Sequence, residues 1–132
     1  MGTLLSAQSL TSPEGRWKTV DDETGQTKSI VEIYKRSDGT YDGKIVEILT
    51  DKKDAVCDKC SGAKKNKPIL GMVIIEDLEA DDGYWSDGEI LDPNKGSTYG
   101  LSVWYEDKNP NTLYVRGKHW SGFYRTQTWT RE

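Results

Sequence analysis

The sequence predicts an all-β protein, an antiparallel up-and-down β-barrel of about eight strands. Three observations carry that expectation. Residues 123–131 alternate almost strictly between a row of Phe123, Arg125, Gln127, Trp129 and Arg131 and a row of Tyr124, Thr126, Thr128 and Thr130. Successive strand side chains point to opposite faces, so this is a strand with two unlike sides. Turn-forming clusters of Asp, Gly, Asn, Pro and Ser recur along the chain at hairpin spacing, as in a sandwich or barrel. No segment has a convincing amphipathic helical period, and no internal repeat is present. Eight sequential antiparallel strands can close on themselves and remove their edges, which favours the barrel.

Residues 1–12 read as a disordered leader holding the end of a secretory signal peptide. There Leu4-Leu5 is followed by the small and polar residues Ser6, Ala7, Gln8 and Ser9. The barrel is expected over 13–132. After the turn Ser12-Pro13-Glu14-Gly15 a short strand covers 16–20, and the polar turn 21–26 follows. Strands at 27–35 and 41–49 flank Asp38-Gly39, a strong hairpin signal, and Gly43 marks a bend or bulge. Residues 50–68 form a long Lys- and Asp-rich connection holding both cysteines, and a loop of that length is usually functional or tied down. Strands are expected at 69–78, 84–91, 98–106, 112–118 and 123–131, with turns at Asp81-Asp82-Gly83, 92–96 and 107–111.

The 132 residues fit one domain, and the net charge of −4 is spread without long single-sign blocks. That argues against a nucleic-acid backbone binder. No stretch approaches the ~20 apolar residues of a membrane-spanning helix, so no membrane insertion is expected. Lys64, Lys65 and Lys67 read as a solvated loop. Cys57-Asp58-Lys59-Cys60 has three readings. A zinc site would need two more ligands, of which the single His119 supplies at most one; a redox centre would need a βαβ setting; a disulfide pinning the loop in an oxidising compartment fits best. No metal and no cofactor are expected. Together, leader and cysteines place the protein in the periplasm or outside the cell.

Gly15-Arg16-Trp17 and Arg131 resemble the lipocalin and calycin signature, in which a Gly-x-Trp opens the first strand and an Arg from the last lies across the indole. A guanidinium over a Trp face gains about 0.5–2 kcal/mol and keeps donors for nearby carbonyls. The resemblance implies that Trp17 and Arg131 close one barrel end. From about Gly15 to Arg131 the chain is also similar to DUF2147, a bacterial family of exported proteins without an established general activity. The likeness rests on Gly15-Arg16-Trp17-Lys18-Thr19, Lys28-Ser29-Ile30-Val31-Glu32-Ile33, Tyr41-Asp42-Gly43-Lys44-Ile45, Cys57-Asp58-Lys59-Cys60 and Pro68 with Gly71-Met72. It continues through Gly88-Glu89-Ile90-Leu91-Asp92-Pro93, Gly96, Tyr99, Val115-Arg116-Gly117 and Arg125 to Arg131. This implies fold and export, and leaves ligand and reaction open.

Arg125, Gln127, Tyr99 and Trp85 are the candidate ligand-binding residues. Alternation puts Tyr99, Leu101 and Val103 on one face and Leu113 and Val115 on another, both facing the interior that Phe123 to Arg131 lines. A guanidinium there needs a partner. An anionic or carbonyl-bearing ligand answers it, and so does an internal carboxylate, Glu32 or Glu47, or ordered water. Trp85 and Trp120 shape a rim or cap the barrel ends. Arg116 falls on the outer face. Gly-x-Ser-x-Gly, His-Glu-x-x-His and a phosphate-cradling loop are all absent, so no enzyme is expected. The reading is an exported monomer binding a small molecule in or at the barrel mouth. Its rival is a filled barrel acting as an envelope interaction module through the lysine-bearing loop and outward Trp104, Tyr105 and Tyr114.

Overall fold

In the computed structural model, which describes residues 10–132, eight antiparallel strands close into a barrel in sequential order. They are β1 (Gly15–Val20), β2 (Thr27–Lys35), β3 (Tyr41–Ile48), β4 (Val73–Asp81), β5 (Tyr84–Asp92), β6 (Ser97–Glu106), β7 (Asn109–Lys118) and β8 (Tyr124–Arg131). The signal-peptide remnant expected at residues 4–9 lies outside the described residues. Up-and-down order puts the β1–β2, β3–β4, β5–β6 and β7–β8 connections at one end. The other three, with the N-terminal segment, fall at the opposite end.

Element boundaries depart from expectation where backbone geometry overrides apolar pattern. Residues 69–72 form a turn rather than the start of β4, because Gly71 takes φ +86° and its N–H bonds Ile45 O. Phe123 precedes β8 and is 81% exposed. β7 begins at Asn109, so only Asp107 and Lys108 turn the β6–β7 hairpin, both at positive φ. Gly43 sits at a register shift opposite Ile75, and a Cβ there would press on Ile75 and Val31.

The half of the barrel away from the long loop is filled. Val31, Ile33, Ile75, Leu78, Leu101, Val103 and Leu113 are buried above a floor of aromatic rings. Trp17 meets Tyr105 at 5.9 Å between ring centroids, and Tyr105 meets Trp85 edge-on at the same distance. Tyr105 therefore faces inward, not out as expected, since it shares the Leu101–Val103 face. Its hydroxyl donates to Ser12 O at 2.6 Å. Burial, the larger influence, raises its pKa against the opposing pull of Arg131.

Arg131 lies 4.2 Å from the Trp17 ring centroid, as the signature implies. It also donates to Pro110 O, Glu14 O and the Tyr105 hydroxyl at 2.9, 3.2 and 3.0 Å. The glycine of Gly15-Arg16-Trp17 has a steric reason: at φ +138° its absent Cβ would overlap Arg131 Nη1. Trp17 Nε1 donates to Pro13 O at 3.0 Å, drawing the segment before β1 across the floor.

Arg131→Met keeps an apolar stem but removes the cation over the indole and three donated hydrogen bonds. It is expected to cost about 2–3 kcal/mol of unfolding free energy, read from urea denaturation.

Candidate functional site

A cavity of about 670 Å³ occupies the other half of the barrel and opens beside the β1–β2, β5–β6 and β7–β8 connections. Its depth is apolar, with Ile45, Ile74, Ile90, Leu91, Val115 and Trp129 among its walls. Nearer the mouth the lining becomes polar: Thr19, Ser29, Tyr99, Gln127, Lys28, Lys95, Asp92 and Arg125. The volume lies within the range of small-molecule pockets.

Alternation along β8 places Gln127 and Trp129 inward as expected, and hydrogen bonding orders them. Trp129 is 2% exposed, and its Nε1 donates to Gln127 Oε1 at 2.9 Å. That bond fixes the amide with its NH₂ turned away from the indole. Thr19 and Ser29 hydroxyls satisfy each other at 2.9 Å across β1 and β2. Tyr99 lies 6.2 Å from the His119 ring, and its hydroxyl makes no hydrogen bond among the described residues. Lys95 likewise makes no ion pair there.

Arg125 is not buried in the lumen. It stands at the rim, 49% exposed, where β8 begins beside the β1–β2 turn. Its Nε and Nη2 donate to the two Asp22 carboxylate oxygens at 3.0 and 2.6 Å, and Nη2 reaches Glu23 at 2.8 Å. The internal carboxylates considered for it are elsewhere. Glu32 pairs across Arg16 and Lys44 on the outer face of β2, and Glu47 is exposed. Sequence reasoning missed Asp22 because strand pattern cannot show which turn folds beside which strand end. Trp85 is not at the cavity either: 4% exposed, it lies in the aromatic floor by Tyr105. Its strand position beside the β4–β5 turn puts it at the closed end. Trp120 is at the rim and 91% exposed. The structure thus brings Arg125, Gln127 and Tyr99 together and leaves Trp85 out.

Arg116, as expected, is on the outside. Its guanidinium lies between the Trp104 and Tyr124 rings at 4.9 and 4.2 Å and donates to the Thr126 hydroxyl.

Two carboxyls of the mouth, Asp21 and Asp22, have lowered pKa values. The Arg125 hydrogen bond chiefly lowers the Asp22 pKa, opposed by partial burial and helped weakly by the Gln127 amide. Arg125 is correspondingly raised, first by its hydrogen bond to Asp22. Asp21 falls to about 2, through hydrogen bonds from the Thr24 and Glu23 backbone N–H groups and then from Lys28.

The long β3–β4 connection is tied to this mouth. Cys57 and Cys60 form a disulfide with Cα atoms 5.4 Å apart, and both are buried. Cys57 Sγ sits 3.3 Å from Pro93 O. Lys59 O packs onto Gly96, at φ +70°, so closely that a Cβ there would overlap it. The disulfide loop thereby rests on the β5–β6 turn, whose Asp92, Pro93, Asn94 and Lys95 line the opening.

A closed eight-stranded barrel with a Gly-x-Trp and Arg floor and an open, lined mouth defines a lipocalin-like protein. A solved Helicobacter pylori structure, HP1028, described as belonging to the lipocalin family, superposes with a TM-score of 0.78 at 18% identity. The match covers 92% of this chain and 83% of that one. At that identity the likeness concerns the fold. No curated protein matches the sequence. The chain belongs to the DUF2147 family, described as an uncharacterized protein conserved in bacteria, whose model matches residues 15–131.

Two outcomes follow from this geometry. A carboxyl with a depressed folded pKa adds stability above its unfolded value and loses it as pH falls toward the folded one. Stability should therefore decline as pH drops from the ordinary carboxyl value of 3.8 toward about 2. Asp22→Asn should flatten part of that decline in urea midpoints while leaving the share of Asp21. Replacing Cys57 and Cys60 with Ser is expected to cost about 2 kcal/mol, given the small ring closed. Hydrogen exchange at the Lys95 and Gly96 amides should rise at the same time.

Proposed function

We propose that this protein is an exported, non-enzymatic carrier that binds a small amphipathic molecule in the barrel, apolar body inward and carbonyl or anionic end at the mouth. The observation that carries this reading is the cavity of about 670 Å³, apolar in depth and polar at its opening. Apolar walls favour burial of a hydrocarbon or ring portion at roughly 25 cal/mol per Å² removed from water. At the mouth, the Tyr99 hydroxyl and the Lys95 ammonium are donors uncommitted to protein partners among the described residues. They suit a carbonyl or carboxylate oxygen. Arg125 is held by Asp22 and Glu23, so it serves first to brace the rim and reaches a ligand anion only by exchanging partners.

Support for export comes from the disulfide and from the apolar-then-small composition of residues 4–9. The rival reading, a filled barrel acting only through its surface, requires an interior without such a volume.

Native mass spectrometry of protein purified gently from its host is expected to show a stoichiometric adduct. In vitro, anilinonaphthalene sulfonate, a ring system bearing an anion, should bind with a blue-shifted emission. Val115→Trp, which fills the cavity from β7, should weaken that binding about tenfold or more while the far-UV circular dichroism of the barrel persists. Dye binding unchanged by Val115→Trp would place the dye outside the barrel and defeat the reading.

A further inference from the structure

Large apolar side chains left exposed on this barrel are not scattered. Seven are exposed among the described residues, and six lie in or directly beside the connections around the open end. Leu49, Val56 and Leu70 lie on the β3–β4 connection, and Trp120, Phe123 and Tyr124 lie at the β7–β8 hairpin. Strand order separates these two connections by the β1–β2 and β5–β6 turns, so the apolar groups flank the mouth on both sides. Trp120 and Phe123 are the most exposed, at 91% and 81%.

The hairpin tip that carries them is an ordered turn. His119 N donates to Phe123 O at 2.7 Å and Gly122 N to His119 O at 2.9 Å, with Gly122 at φ +102°. The His119 ring packs on Trp120 at 5.1 Å between centroids and bonds the Ser121 hydroxyl. Among the described residues, the Trp120 and Phe123 rings remain largely uncovered.

Charge at the same end shows an excess of lysine. Residues 50–68 hold six lysines to three aspartates, in a chain whose net charge is −4. Lys95 of the β5–β6 connection and Lys118 at the end of β7 add to them. The acidic β1–β2 turn is answered from within: Asp21 pairs with Lys28 at 3.1 Å, and Asp22 and Glu23 share Arg125. Lys64 is paired with Glu76 at 2.8 Å, while Lys52, Lys59 and Lys67 of the same connection make no ion pair among the described residues. Exposed Trp and Phe beside these three lysines match one surface, the headgroup region of an anionic bilayer. There aromatic rings sit at the polar–apolar boundary and each nearby lysine gains from the negative potential.

We infer that the open end is a membrane-docking face, in which Trp120 and Phe123 enter the headgroup layer of an anionic lipid surface, lysines of the β3–β4 connection settle against its phosphates, and the barrel mouth is held toward the lipid. No ligand in the cavity is needed for this, so it stands apart from the carrier reading. It is peripheral docking by a hairpin tip, with the barrel itself remaining in water.

The test is co-sedimentation of the full chain with phosphatidylcholine vesicles, with and without about one-quarter phosphatidylglycerol. Partition onto the anionic vesicles is expected, weakening as salt rises. Brominated acyl chains in those vesicles should quench the tryptophan fluorescence. The double variant W120S/F123S should lower partition about tenfold or more. Its thermal midpoint should stay at the wild-type value, because both side chains are outside the core. Failure of the wild-type chain to partition onto anionic vesicles would overturn the inference, as would undiminished partition of the folded double variant. A rim that instead engages a protein would give the first of these results.

Discussion

The seam between the first and last strands is the constraint on which this barrel depends. Register pairing there covers Trp17 with Arg131 and Lys18 with Thr130, the sparsest of the eight junctions, and the Glu132 N–H extends it to Arg16 O at 2.9 Å. A barrel with an open seam would present two strand edges to solvent. Side chains complete what the ladder leaves undone. At the floor, Arg131 lies on Trp17 and collects the carbonyls of Glu14 and Pro110 with the Tyr105 hydroxyl. At the rim, Arg125 joins β8 to the β1–β2 turn through Asp22 and Glu23. Two arginines, spaced along one face of one strand, thus fasten the two ends of the same junction.

The two clamps work in different media. Arg131 acts among buried rings, where a cation over an indole keeps much of its strength. Arg125 is half-exposed, and Glu23 is largely in water, so their pairing is weakened by solvent and salt. The floor is therefore the fixed end of the molecule and the rim the adjustable one. The distribution of volume agrees: packed aliphatic and aromatic side chains at the floor, a lined cavity at the rim.

Ordering of the mouth is delegated to loops tied to one another rather than to the strands. The disulfide closes a small ring in the β3–β4 connection, and that ring lies on Gly96, where only a hydrogen leaves room for Lys59 O. The β5–β6 turn so covered supplies Asp92 to Lys95 to the opening. A constraint between two cysteines three residues apart is in this way passed to residues more than thirty positions later in the chain.

Local pattern was enough to read the fold. Period-two alternation in Phe123 to Arg131, Asp-Gly at the β2–β3 hairpin and Gly-x-Trp with a terminal Arg report on neighbours along a strand, a turn, or one known ring contact. The sequence by itself therefore determined strand number, barrel closure, the Trp17–Arg131 floor and the inward row of Gln127 and Trp129. What it could not hold is which end of each strand meets which loop, because that depends on register and shear around the whole barrel. Only the tertiary structure gave Arg125 to Asp22 and Glu23, turned Tyr105 inward, sent Trp85 to the floor and gathered the exposed apolar residues at the mouth. Alternation tells a side chain's face, but its height along the barrel axis is set by all eight strands together.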